Sequence, residues 1–166
     1  MLVRKKIGKR KDKILHAKEE KYDFLKHWAV VRKWAIYNYN LKSSADLDML
    51  LFLYSEKLFT RSKFADYACF MPWEKTRFDR LLRDGFVIIW RKKGIGESNL
   101  YQLSFSAKKM IASMYRKLLG LEPFPETARR NNVFKPNASF SEKTLAQAIK
   151  RINNDFRERK QRPSPE

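Results

Sequence analysis

Apolar residues recur at helical spacing soon after the N-terminal segment. Between Tyr22 and Leu41, the residues Phe24, Leu25, Trp28, Val31, Trp34, Ala35 and Ile36 return at helical intervals. Tyr22, Val30, Tyr37 and Tyr39 widen that stripe, so the predicted helix needs partners on two sides. The next run, "SSADLDMLLFLYSEKLF", predicts a second helix capped by Ser43 or Ser44, with Asp46 and Asp48 in its first turn where carboxylates suit the helix dipole. Its expected buried face is Leu47, Leu50, Leu51, Tyr54 and Leu58. A short third helix follows Thr60 and buries Phe64, Ala65 and Ala68. A fourth starts at Pro72, whose missing N–H is no loss at the first helical position, and stops at Gly85. It directs Phe78, Leu81 and Leu82 inward and Lys75, Thr76, Arg77, Arg80 and Arg83 mostly outward, with Asp79 spaced for ion pairs to Lys75 and Arg83.

After Gly85 the pattern shortens. "FVIIW" (86–90), the basic link "RKKGIGES" (91–98) and "NLYQLSF", in which Tyr101, Leu103 and Phe105 alternate, predict a hairpin. A fifth helix runs from Ala107 to about Leu119 and is halted by Gly120 and "EPFP". A loop holding "RRNN" and "KPN" leads to a last helix capped by Ser139 or Ser141, whose apolar seam of Leu145, Ile149, Ile152 and Phe156 is narrow enough to dock on another helix. The expected organisation is a basic flexible arm (1–20), a compact domain (21–120), a loop (121–138), a C-terminal helix (139–160) and a disordered tail (161–166).

Charge changes the picture more than composition does. Lys and Arg number 37 against 18 acidic residues, a net charge of +19, far beyond what solubility requires, and a polyanionic partner is the expectation. No apolar run approaches a membrane span and the basic N-terminus lacks a signal-peptide core, so a soluble, cytoplasmic protein without membrane attachment is expected. The single Cys69, between Ala68 and Phe70, reads as a buried small hydrophobe. His16 and His27 lack ligand companions at metal spacing, and no metal or other cofactor is expected. Asp46 and Asp48 fall on different helix faces, and neither a nucleophile motif nor a phosphate-cradling glycine loop occurs, so no enzymatic activity is expected.

The order helix, helix, short helix, basic helix, hairpin, helix predicts a mostly α fold with a small β-hairpin wing: a winged helix-turn-helix with additional N- and C-terminal helices. "FADYA", "RLLRDGFVIIWRKK" and "YQLSFSAKKMI" carry a more specific likeness. From about Tyr22 to Leu119 the layout resembles the multiple-antibiotic-resistance-regulator (MarR) family. That resemblance implies a dimeric transcriptional regulator, usually a repressor, bound to double-stranded DNA. Helix 72–84 would then read the major groove, with Trp73, Lys75, Thr76, Arg77 and Arg80 as candidate contacts, although Trp73 reads first as a packing residue rather than a base stacker. Wing 90–99 would contact backbone or minor groove through Arg91, Lys92 and Lys93, and the arm would add Arg4, Lys5, Lys6, Lys9 and Arg10. Trp28, Leu145, Ile149, Ile152 and Phe156 are the expected homodimer interface. The small-molecule effector, the target site and the regulated gene are not legible. The apolar entry "CFMPW", where the family has small hydroxyl residues, supports an alternative: a winged-helix structural or interaction component of a nucleoprotein assembly, such as a mobile element or virus particle.

Overall fold

The computed structural model describes residues 25–63 and 75–161. The arm, His16, the third helix with Phe64, Ala65, Ala68 and Cys69, the helix start at Pro72 and Trp73, and the tail from 162 lie outside the described residues. A single 3-10 turn (Leu25–His27) opens into α1 (Trp28–Asn38), followed by α2 (Ser44–Ser55), α3 (Lys75–Arg83), β1 (Val87–Arg91), β2 (Leu100–Leu103), α4 (Phe105–Leu118), a second 3-10 turn (Asn132–Phe134) and α5 (Phe140–Gln161). The described chain is mostly helical with one antiparallel hairpin.

Local chemistry sets these boundaries. Ser43, in extended conformation, caps α2 by accepting the Asp46 N–H at 3.2 Å, and Ser104 caps α4 through the Ala107 N–H at the same distance. Ser139 rather than Ser141 caps α5. Its N–H donates to Glu142 Oε2 at 2.6 Å while its hydroxyl accepts the Glu142 N–H at 3.4 Å, a reciprocal capping box. That backbone hydrogen bond also holds the Glu142 carboxyl below the ordinary carboxylate range. Gly85 (φ +78°) and Gly120 (φ +69°) end α3 and α4 in the left-handed region. Each closes a Schellman motif: Phe86 N–H to the Leu81 carbonyl at 2.9 Å, and Leu121 N–H to the Arg116 carbonyl at 2.8 Å.

One core joins all the layers. Val31, Trp34 and Ala35 of α1 meet Leu47, Leu50 and Leu53 of α2, Met110, Ile111 and Met114 of α4, and Ile149 of α5. On α2 the buried face is rotated from the expected one: Met49 and Leu53 are buried, whereas Tyr54 and Leu58 are exposed. The helix ends at Ser55 with Glu56 already extended, so Leu58 falls off its register, and Tyr54 leans instead on the Tyr115 ring at 6.0 Å. Phe105 is likewise exposed, because Ser104 breaks the strand and makes Phe105 the first residue of α4.

The C-terminal seam lies inside the chain, which corrects its assignment to a two-fold interface. Leu145, Ile149, Ile152 and Phe156 are all buried, Phe156 edge-on against the His27 ring, and Trp28 packs half-buried on the same core. A second copy would have to use another surface. The segment expected to be a plain loop is what closes that core. Buried Asn153 accepts the Phe124 N–H at 2.9 Å and donates to the Phe124 carbonyl at 2.9 Å and to Glu126 at 2.7 Å. Asn132 donates to the carbonyls of Tyr37 and Asn38 at the end of α1. Asn153→Ala is expected to lower unfolding free energy by roughly 2–3 kcal/mol, since it strands a buried N–H and C=O as well as removing the clamp; chemical denaturation checks this, with Asn153→Asp as a variant that keeps the acceptor.

A buried cation completes the interior. Lys117 of α4 is fully buried beneath the Trp34 ring, with its ammonium 4.6 Å from the centroid, and donates to Ser113 Oγ at 3.1 Å and to Glu122. Burial lowers the Lys117 pKa, only partly offset by Glu122. Burial alone would raise the Glu122 carboxyl, but hydrogen bonds from Lys117, Ser113 and Arg116 outweigh it and bring the carboxyl down to about 2. Nearby Tyr39 is pushed up by burial and then by the Glu122 charge.

Candidate nucleic-acid interface

The first turn of α2 decides which face of α3 is free. Asp46 is 1% exposed and sits among apolar neighbours, so its charge needs a partner. Its Oδ1 forms ion pairs with Arg77 Nε at 3.0 Å and with Arg80 Nη2 at 2.6 Å, the second of them a hydrogen bond. The three-residue spacing of Arg77 and Arg80 puts both on the side of α3 that faces α2. Their side chains are 12% and 24% exposed. The expectation that Arg77 and Arg80 point outward is therefore corrected: they brace α3 against α2.

Among its described side chains, α3 presents to solvent the stripe Thr76, Asp79 and Arg83, spaced three and four residues apart. Asp79 pairs with Arg61 at 2.8 Å and not with Arg83 as expected, because Arg61 approaches over the Phe78 ring, 5.3 Å from its centroid. Arg61 and Arg83 thus join the candidate contacts. The Lys75 and Trp73 side chains, and the arm residues Arg4, Lys5, Lys6, Lys9 and Arg10, lie outside the described residues.

The hairpin is registered Val87 to Leu103 and Ile89 to Tyr101, with an irregularity between Ile89 and Arg91 that leaves Trp90 as the extra residue. On the other edge of β2, Phe59 and Tyr101 exchange backbone hydrogen bonds of 3.0 and 2.9 Å. The Tyr101 ring stacks on Phe59 and meets Phe78 of α3 edge-on at 4.9 Å. Hairpin and α3 are thus tied through one buried aromatic. Lys92 and Lys93 stand exposed, and Arg91, also exposed, pairs with Glu97 at 3.3 Å.

No protein-family model, curated protein or solved structure matches the chain. The functional reading therefore rests on geometry and charge. Among the described residues there is no His, Cys, Asp or Glu cluster able to hold a metal ion, and no helix long and apolar enough to cross a membrane.

Of the candidate contacts, the structure places Thr76, Arg91, Lys92 and Lys93 on the surface and withdraws Arg77 and Arg80. Two features were missed in the sequence. One is Asp46 as the brace, for which the sequence offers only an acidic residue flanked by Ala45 and Leu47 and, far along the chain, two arginines three residues apart. The other is the exposure of Ile88, Ile89 and Trp90, since an unbroken apolar strand reads as buried on both faces.

Proposed function

We propose that the chain is a double-stranded DNA-binding protein of winged helix-turn-helix type, with α3 in the major groove and the hairpin along the backbone or minor groove. The observation that carries this reading is the coupling of the hairpin to α3 through Tyr101 and Phe78, in a chain of net charge +19. That coupling fixes the outward stripe of α3 and the lysines of the hairpin as one unit. Phosphate contacts from Lys92, Lys93, Arg61 and Arg83 supply affinity, and Thr76 with Asp79 supplies base-edge contacts, Asp79 as an acceptor toward cytosine.

A MarR-like regulator is the form of this function that the sequence resemblance implies. The withdrawal of Arg77 and Arg80 favours a second form, a structural or interaction component of a nucleoprotein assembly, because it leaves few of the described side chains of α3 to read bases. Alanine substitution separates the two. Replacing Lys92 and Lys93 together is expected to weaken binding to all duplexes alike, by about tenfold, while Thr76→Ala and Asp79→Ala change the order of preference among sequences selected from a random pool. Equal loss from both sets, with no preference in the unmodified protein, leaves the structural component. Failure of the unmodified protein to retain any duplex contradicts both forms.

A further inference from the structure

Four large apolar side chains of the hairpin face solvent: Ile88, Ile89, Trp90 and, at the tip, Ile95, which is fully exposed. Scattered exposed apolar residues need no explanation, but their concentration on the element that also carries Arg91, Lys92 and Lys93 does. The tip is built for a narrow space. Gly94, Ile95, Gly96 and Glu97 form a turn closed by the Glu97 N–H on the Gly94 carbonyl at 3.2 Å, with Gly96 in the left-handed region (φ +77°), as a type II turn requires at that position. With glycine on both sides, the Ile95 side chain projects alone.

The tip is also held. The Lys93 N–H donates to Asn99 Oδ1 at 2.7 Å, Asn99 Nδ2 donates to the Tyr101 hydroxyl at 3.2 Å, and Tyr101 is packed between Phe59 and Phe78. Arg91 and Glu97 pair across the neck. A side chain that must push between stacked bases needs such fixed support, because a loose loop would fold back instead.

We propose that Ile95 is an apolar wedge that enters the minor groove and partly unstacks one base step, with Lys92 and Lys93 on the flanking phosphates. This rests on the DNA-binding reading above. The minor groove is about 6 Å wide, which admits one aliphatic side chain between two glycines and excludes a broader tip. The positive charge of Lys92 and Lys93, which carry no ion pair among the described residues, complements the phosphates that line that groove. Wedge insertion kinks the duplex toward the major groove, where α3 lies. Flexible pyrimidine–purine steps unstack most readily, so the wedge selects TA steps at a position where no polar side chain reads a base.

The test uses the full chain and a duplex of about 25 base pairs carrying 2-aminopurine at a central TA step and dyes at its ends. Binding of the unmodified protein should raise 2-aminopurine fluorescence and shorten the end-to-end distance. Ile95→Ser should abolish both signals and weaken binding three- to tenfold, while leaving the thermal midpoint and the salt dependence of binding unchanged. Binding without either signal, or the same signals from Ile95→Ser, overturns the wedge and leaves DNA binding standing. Absence of binding to any duplex overturns both. Co-sedimentation with phosphatidylserine vesicles that is lost in Ile95→Ser, with duplex binding unaffected, assigns the tip to a lipid surface and overturns the wedge.

Discussion

Asp46→Ala is expected to lower unfolding free energy by about 3–5 kcal/mol and the thermal midpoint by roughly 10 °C. The carboxylate is buried at the start of α2 and is the shared counter-charge of Arg77 and Arg80. Removing it leaves two guanidinium groups largely withdrawn from water beside an apolar wall. Their desolvation then lacks its shared buried counter-charge, which costs more than the net worth of the ion pairs themselves. Asp46→Asn keeps an acceptor oxygen and should fall between the two. The triple change Asp46→Leu, Arg77→Met and Arg80→Met should recover most of the loss, because an apolar set of similar volume needs no compensation. Thermal unfolding of the four proteins checks this; a loss below 1 kcal/mol in Asp46→Ala would mean that the arginines turn out to water at little cost. The same brace fixes how α3 sits on α2, so Asp46→Ala should also weaken duplex binding even though Asp46 itself repels phosphate.

Glu122→Ala should be nearly as damaging, at about 3 kcal/mol. It leaves the ammonium of Lys117 fully buried with Ser113, the Pro123 carbonyl and the Trp34 and Phe124 rings as its remaining partners. Lys117→Met is the milder change, because Glu122 keeps Arg116 at 2.7 Å and is partly exposed to water. The pair also has a pH signature. The Glu122 carboxyl sits at about 2 in the folded chain against an ordinary 4.5, so the unfolded chain takes up the proton first as pH falls. Its contribution is complete above about pH 4.5 and lost progressively toward pH 2. With the side chain 32% exposed, solvent screening holds that contribution to about 2 kcal/mol. Denaturation between pH 6 and pH 2 should therefore show a steeper decline for the unmodified protein than for Glu122→Gln, which has no proton to gain. Parallel curves would contradict the assignment.

The elements with one clean signal were legible before any coordinates. Ser43 before an apolar run, Gly85 and Gly120 after one, and the alternation of Tyr101 and Leu103 each combine a local backbone requirement with a pattern, and each appears in the structure where the sequence places it. Tertiary pairing was not legible in the same way. Arg77 and Arg80 read as outward because the apolar stripe of Phe78 and Leu81 defines an inside, yet a buried carboxylate thirty-odd residues earlier draws them in. The seam of α5 reads as unsatisfied because its partner is spread over α1, a 3-10 turn and the segment around Phe124, none of which advertises a complementary stripe. Lys117 is the strongest case. Nothing in "MYRKLLG" distinguishes the lysine that is sealed under Trp34 from the arginine beside it, since the difference is made by Glu122 across the Gly120 turn.

Binding of duplex DNA by this basic surface is tested by fluorescence anisotropy of a labelled random-sequence duplex titrated with the full chain at salt concentrations from about 50 to about 300 mM. Each phosphate neutralised contributes about −0.9 to the slope of log affinity against log salt. Lys92, Lys93, Arg61 and Arg83 together predict a slope of about −3 or steeper. Lys92→Ala with Lys93→Ala should make it shallower by about 2. Saturable binding with that salt slope and that change supports the account; no binding at low salt, or an affinity flat across the range, contradicts it.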